Sequence, residues 1–307
     1  MILVAGGTGH FGGALVGMLT THGLKVRVLS RRLRPSLPPA TPDVQLVVGD
    51  VRDAPSLASA LVGVETVISA VTGFGPGGDG PRAVDFLGNE NLIAAAEAAN
   101  AKQFILVSIH RARPDHPLEL NRMKFLAEER LRKSRLNWTI IRPTVFMELW
   151  ARIIGGSGTQ KGKTTVFGRG DNPINFVSVG DVARFVHLAL SDPLLRRTTL
   201  DVGGPDNLTM KNVGEILDRV HGRKAAVRHV PLPVMRIGAL VMRPIRPDVA
   251  RLIQAGVVMA TEDMSFDPGD LYARWPEVSL THLADVVRQQ YATSTPELEP
   301  AGVRQLH

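Results

Sequence analysis

Gly6, Gly9 and Gly12 stand three residues apart, directly behind the apolar run Ile2 to Ala5 and at the start of a helix-like stretch. Glycines at a strand-to-helix boundary allow a tight turn, a close backbone approach to a pyrophosphate and close packing of helix on strand. The unpaired amides of the helix N-terminus then hold the anion. Thr8 adds a hydroxyl donor, while His10 and Phe11 fill the positions before Gly12, His10 being expected to face solvent. A glycine triplet alone also fits an ordinary turn. Its place on the first strand, joined by signals after the second and third, points to a dinucleotide.

Ser30-Arg31-Arg32 follows the second apolar run. About 20 residues beyond such a glycine loop, an acidic residue holds the ribose 2′-hydroxyl of NAD, whereas arginine accommodates the 2′-phosphate of NADP. Guanidinium groups pair with phosphate in a bidentate manner and a serine hydroxyl donates, so NADP is expected over NAD. The bland alternative is a solvated arginine pair at a strand end. Val48-Gly49-Asp50-Val51 follows the third run and completes the combination.

The elements that must position these residues are legible as an alternation. Strands are expected at Ile2 to Ala5, Lys25 to Leu29, Val44 to Val48, Thr66 to Ala70, Gln103 to Val107 and Trp138 to Arg142. Helices are expected at 11 to 22, 54 to 62, 82 to 100 and 118 to 134. Such a pattern predicts an α/β fold with a doubly wound parallel sheet of Rossmann type. After Pro143 the glycine clusters at 155 to 158 and 168 to 170 interrupt it; Ile174 to Val179 is expected to resume it, with Asp181 capping a helix over 182 to 190, and Thr198 to Val202 adds a strand. A helix at 210 to 221, a mixed basic stretch from 223 to 260 and a last helix near 280 to 292 follow. The expected division is a Rossmann domain from 1 to 147 and 176 to 203, a smaller C-terminal cap region from 148 to 175 and 204 to 295, and a disordered tail at 296 to 307.

Composition narrows the chemistry. With 307 residues and 44% apolar composition the chain can bury a full core, and zero cysteines remove disulfides, thiolate metal sites and a cysteine nucleophile. His116, His221 and His229 lack metal-ligand spacing, so no metal site is expected. Met1 runs straight into the first strand, which leaves no room for a leader, and the longest apolar runs contain Arg142 or Arg236; a cytoplasmic protein without a membrane span is expected. Of the net charge of +7, much sits between residues 223 and 251, where seven basic residues face Asp248 alone. That segment is read as a solvated face or as a contact for an anionic partner or lipid surface. Only 5% aromatics and no helix-turn-helix or zinc spacing make nucleic acid a poor partner.

The N-terminal Val4-Ala-Gly-Gly-Thr-Gly-His-Phe-Gly-Gly, the arginines after strand two and Gly49-Asp50-Val51 together resemble the atypical short-chain dehydrogenases. Lys124-Phe-Leu-Ala-Glu-Glu-Arg-Leu, Asn137 to Glu148, Phe176 to Ala183 and Leu200 to Pro205 are similar to the NmrA-like branch of that superfamily. The resemblance implies that Asp50 and Val51 contact the adenine and that Ala70, Val71 and Thr72 line the adenosine side. It implies that Pro143, Thr144, Val145 and Phe146 face the nicotinamide.

Standard members of the superfamily carry Tyr-x-x-x-Lys, with tyrosine as general acid or base. Here Leu120 stands four residues before Lys124, and Tyr272 and Tyr291 lie far down the chain. Three groups are candidates to replace the phenol. Lys124 keeps the family position, where related benzylic ether reductases are thought to use lysine, and burial moves a lysine toward proton exchange near neutrality. Ser108 follows strand five, and His110 is a histidine, the side chain whose unperturbed pKa is already near neutral. The functional expectation is an NADPH-dependent oxidoreductase, reductase or isomerase, acting on a small apolar carbonyl or enone-type molecule. The alternatives are a non-catalytic NADP-sensing regulator of the NmrA type and an accessory or assembly factor at a membrane surface.

Overall fold

The computed structural model describes residues 1–32, 42–155, 163–222 and 224–294. A seven-stranded sheet forms its centre, made of β1 (Ile2–Ala5), β2 (Val26–Ser30), β3 (Val44–Val48), β4 (Thr66–Ser69), β5 (Gln103–Val107), β6 (Asn137–Pro143) and, at one edge, β10 (Thr198–Val202). The order is β10-β6-β5-β4-β1-β2-β3, and each neighbouring pair is parallel. The direction of winding reverses between β1 and β4, and a crevice opens at such a switch point beyond the carboxyl ends of the strands.

Both faces of the sheet are covered at its centre, which is why β1 and β5 read as nearly unbroken apolar runs. Val4, Ile68, Ile105 and Ile141 point to one side, where α1 (His10–Thr21) and α6 (Val179–Ser191) cover them with Leu15, Leu19, Val182 and Phe185. Leu3, Ala5, Val67, Leu106 and Ile140 point to the other, under α2 (Leu57–Ala60), α3 (Asn89–Ala98) and α4 (Glu119–Arg132). Between β4 and α3 the chain makes one wide helical turn of π type, Arg82–Gly88, whose Asp85 is fully buried.

A third core lies beyond the sheet. Trp150 and Ile154 of α5 (Met147–Gly155) meet Val166 of β8 (Lys163–Phe167), Val213 and Leu217 of α7 (Met210–His221), and Val286 of α11 (Leu283–Ser294). Thr209 and Asn212 close a reciprocal cap at the start of α7, and Gly222 ends it in the left-handed conformation at φ 62°, the usual stop signal.

Three expectations are corrected. Ile174 to Val179 does not rejoin the main sheet: β9 (Ile174–Val177) pairs with β7 (Val145–Phe146) and β11 (Asn207–Leu208), and the edge beside β6 goes to β10. The reason is burial, since Ile174 and Phe176 belong to the third core. Asp181 does not cap α6; Ser178 does, its hydroxyl accepting from the Asp181 amide at 3.0 Å, while the Asp181 carboxylate accepts from Arg184 and Thr281. The basic stretch is regular rather than mixed, forming β12 (Ala226–Val230) beside β8, then the helical hairpin α8 (Leu232–Ile245) and α9 (Pro247–Thr261), with Pro247 in the first turn of α9 where a missing amide costs nothing. The expected tail at 296 to 307 lies outside the described residues.

Candidate active site at the sheet switch point

The glycine loop turns between β1 and α1 at close quarters. Gly6 has φ +86°, and a Cβ there would stand 2.6 Å from the Ala70 carbonyl oxygen, so the loop lies directly against the residue that follows β4. A Cβ on Gly12 would stand 2.1 Å from the Gly6 carbonyl oxygen, which only glycine avoids. Gly9 occupies the N-cap of α1, no side chain caps that helix, and its first turn holds no acid. The amides are thus aimed at the crevice without a competing protein anion, the arrangement an anion site requires. Thr8 on the loop and His10 at the first position of α1 are exposed, and the Phe11 ring stacks on Phe146 with centroids 5.6 Å apart.

At the ends of β2 and β3 the charged residues interlock. Arg31 donates to Asp79 at 2.7 Å, Arg52 reaches the other oxygen of Asp79 at 2.8 Å, and Arg52 also pairs with Asp50 at 2.6 Å. The hydrogen bonds from Arg52 hold the Asp50 carboxyl below its ordinary range. The Ser30 hydroxyl donates to the Arg32 carbonyl, and Arg32 itself is exposed. Val51 differs from its neighbour: its side chain is buried in the core, against Gly88.

Ala70, Val71 and Thr72, Ser108 and His110, Lys124, and the run Pro143 to Phe146 all line one cavity of about 280 Å³. Its wall is mostly apolar and is completed from the C-terminal part by Ala255, Val258 and Met259 of α9, with Trp150 from α5. A separate cavity of about 340 Å³, lined by Met1, Leu24 and His187, lies at the opposite, amino end of the strands, away from the glycine loop.

One face of α4 supplies the floor of the first cavity. Asn121, Lys124 and Glu128, at positions i, i+3 and i+7, are all buried. Lys124 Nζ donates to the carbonyls of Val71 at 2.9 Å and Val107 at 3.0 Å and forms an ion pair with Asp85 Oδ1 at 3.1 Å, an oxygen that accepts no hydrogen bond among the described residues. Burial pushes the Asp85 carboxyl up, against the Lys124 charge and the Gly73 amide that draw it down. Lys124 and Glu128 therefore do not form the solvated i,i+4 pair that their spacing also allowed. Glu128 accepts from Ser108 Oγ at 2.5 Å and is clamped by Arg142 and Arg132.

His110 is placed differently, with its ring at the cavity wall. Its backbone amide continues the β6 ladder by donating to the Pro143 carbonyl, and Asn121 Nδ2 donates to the His110 carbonyl. Its Nδ1 lies 2.7 Å from Asp201 Oδ1 on β10, and the imidazole and the Phe266 ring meet edge to face with centroids 4.9 Å apart. The next residue, Arg111, has φ 58°, a left-handed conformation that costs a non-glycine residue about 1 kcal/mol or more and tends to persist at functional sites. A carboxylate on Nδ1 orients an imidazole and leaves Nε2 for the ligand side.

Sequence reasoning did not mark Asp79, Asp85, Asn121, Glu128, Asn175 or Asp201. A signal existed for two of them, since three polar residues at one-face spacing on a helix that packs against a sheet must find buried partners. Asn121 Oδ1 has none among the described residues. Asn175 ties the crossing of β7, β9 and the turn after β10 together, accepting from Thr144 Oγ1 and the Gly204 amide, each at 2.9 Å.

The end of the sheet where strand order reverses offers both an uncapped helix N-terminus and an adjoining apolar cavity, and that is how a dinucleotide-binding α/β protein of Rossmann type is built. A family model described as NAD(P)H-binding matches residues 6–193, so the chain belongs to that NAD(P)H-binding family, in agreement with its atypical short-chain dehydrogenase resemblance. It is 30% identical over 237 residues to the photosystem II assembly factor Ycf39 of Synechocystis, covering 76% of this chain and 72% of that one. It is 28% identical over 290 residues to an NAD(P)H azoreductase of Xenophilus azovorans, covering 94% of this chain and 91% of that one. Its fold is similar to that of the Citrobacter triphenylmethane reductase solved with NADP(H), with a TM-score of 0.76 at 21% identity over 94% of this chain and 99% of that one.

Proposed function

We propose that the chain is an NADPH-dependent reductase for a small, largely apolar carbonyl, enone or related two-electron acceptor. The observation that carries this reading is the position of His110, its Nδ1 held by Asp201, on the wall of the same apolar cavity that Thr72, Thr144 and Phe146 line. The uncapped amides of α1 and the glycine loop suit the pyrophosphate, and Arg31 with Ser30 and Arg32 suits the 2′-phosphate. When bound, the reduced nicotinamide supplies a hydride, which is two electrons and one hydrogen nucleus delivered to an acceptor carbon. The chain's own part is to hold the acceptor in a dry cavity and to give its oxygen the balancing proton.

His110 is the residue assigned that proton transfer. Nδ1 stays with Asp201, and the imidazolium gives up its Nε2 proton, leaving neutral imidazole to be recharged from solvent. Lys124, hydrogen-bonded to Val71 and Val107 and ion-paired with Asp85, is assigned the positioning of the loops after β4 and β5, and Ser108 acts with Glu128 in the same frame. Asn121 Oδ1 is available to accept one hydrogen bond from a bound ligand.

A second reading has its own support: Leu120 where a tyrosine hydroxyl would stand, and a Lys124 buried against Asp85, suit an NADP-sensing protein without turnover. Titration with NADPH and NADH, followed by loss of NADPH absorbance against quinones, enones, aldehydes and azo dyes, separates the two. Turnover establishes the reductase; tight NADPH binding with no turnover by any of these acceptors establishes the sensor.

A further inference from the structure

Helix α8 packs on α9 by one narrow side, where Met235 is buried over Gly256. Five of its other apolar side chains face outward: Val234, Ile237, Leu240, Val241 and Ile245 are each more than half exposed. Single exposed aliphatics need no explanation, but five on one 14-residue helix form a continuous stripe. At about 100° per residue the stripe spans roughly 140° of the circumference.

Charge borders this stripe on one side. Arg236 and Arg243, seven residues apart and hence on one face, are exposed, and neither has a hydrogen-bond or ion-pair partner among the described residues. Arg228 on the adjoining strand β12 is likewise exposed, whereas Arg246 is held by Asp248. No Asp or Glu occurs on α8. We infer that α8 is a docking helix that lies in the plane of an anionic lipid surface, with its aliphatic stripe among the acyl chains and Arg236 and Arg243 at the headgroups.

Two observations select this occupant. An isologous contact with a second copy would lay the stripe and its arginines on themselves, like charge against like, with no carboxylate on the helix to answer them. Fourteen residues make about 21 Å of helix, too short to cross a bilayer but enough to lie in its interface, and no described helix is long and apolar enough to span one. The opposite side of α9 lines the apolar cavity, so docking here would set the cavity one helix away from a reservoir of apolar molecules. That corollary rests on the reductase reading; the docking itself does not.

The test is co-sedimentation of the full chain with phosphatidylcholine vesicles, with and without phosphatidylglycerol, at low salt. The wild type is expected to partition onto the phosphatidylglycerol vesicles alone, about fivefold less tightly for each arginine removed in Arg236→Ala and Arg243→Ala. The Ile237→Glu/Val241→Glu variant should lose association while keeping its NADPH affinity, which shows that the fold is intact. Because the chain has no cysteine, Leu240→Cys accepts a single polarity-sensitive dye, whose emission should shift to the blue on the same vesicles. Wild type that stays in solution at low salt overturns the inference. So does equal binding to phosphatidylcholine alone, or a lipid-free dimer that Ile237→Glu/Val241→Glu dissociates.

Discussion

Lys124 Nζ and Asp85 Oδ1 lie 3.1 Å apart in the interior, the aspartate fully buried in a π-type turn and the lysine nearly so on α4. Removing one partner of such a pair leaves an uncompensated charge and costs about 3–5 kcal/mol, whereas replacing both is far milder. Lys124→Met is therefore expected to unfold at markedly lower denaturant concentration, and Lys124→Met/Asp85→Asn to regain most of the loss. Equal stability of Lys124→Met and wild type would remove the positioning role assigned to this lysine.

The His110–Asp201 contact makes a separate prediction, about rate rather than stability. His110→Gln should lower kcat about 100-fold or more, in line with the usual worth of a general acid, with NADPH affinity unchanged. Asp201→Asn keeps the shape but offers Nδ1 the wrong partner, and should lower kcat by a smaller factor. Steady-state kinetics on one accepted substrate decide it; an unaltered kcat in His110→Gln would move the proton donor elsewhere.

Cofactor preference is predicted from Arg31 and Asp79. A charge-assisted hydrogen bond to phosphate is worth about 1.5–3 kcal/mol, so Arg31→Ala should weaken NADPH about 10- to 150-fold and leave NADH nearly untouched. The Arg31–Asp79 pair is largely exposed, which limits what its release can contribute to about 1 kcal/mol or less. Asp79→Asn should accordingly tighten NADPH by no more than about fivefold. Equal losses of NADPH and NADH in Arg31→Ala would contradict the 2′-phosphate assignment.

Glu148 carries the pH dependence. Its Oε1 accepts from the Val179 amide at the start of α6, its Oε2 is buried without a hydrogen bond among the described residues, and burial raises its pKa above the ordinary 4.5. A carboxyl whose pKa is raised by folding favours the native state fully below its unfolded value, and that contribution is lost as pH rises through the folded value. Glu148→Gln retains the carbonyl acceptor and removes the charge. Its melting temperature should therefore gain on the wild type as pH goes from below 4.5 to neutral. A gap that stays constant across that range would show that the carboxyl is not destabilised by burial.

The sequence carried the sheet well where both faces are buried, because Ile2 to Ala5 and Gln103 to Val107 have no other way to satisfy their pattern. It misled at Ile174 to Val179, since an apolar run does not say which core it will enter, and here Ile174 and Phe176 entered the third. The glycine loop was legible because much of its constraint is local: Gly12 answers to the Gly6 carbonyl six residues before it, while Gly6 answers to Ala70 after the neighbouring strand β4. The partners of the charged site residues were not, because they come from afar. Asp201 is 91 residues from His110, and Asp79 is 48 from Arg31. Nothing in the stretch from 82 to 100 distinguishes Asp85 from a surface carboxylate until the fold encloses it.

The most direct test of the reductase reading follows the hydride itself. The protein is incubated with NADPH deuterated at C4 of the nicotinamide on the transferred face, together with the same enones and aldehydes, whose products keep the label on carbon where it does not exchange with water, and the products are weighed by mass spectrometry. A reduced acceptor that carries the label, formed by wild type and at a rate at least about 100-fold lower by His110→Gln, is the result predicted. Full recovery of labelled NADPH, with every acceptor unchanged although the cofactor binds tightly, would contradict it.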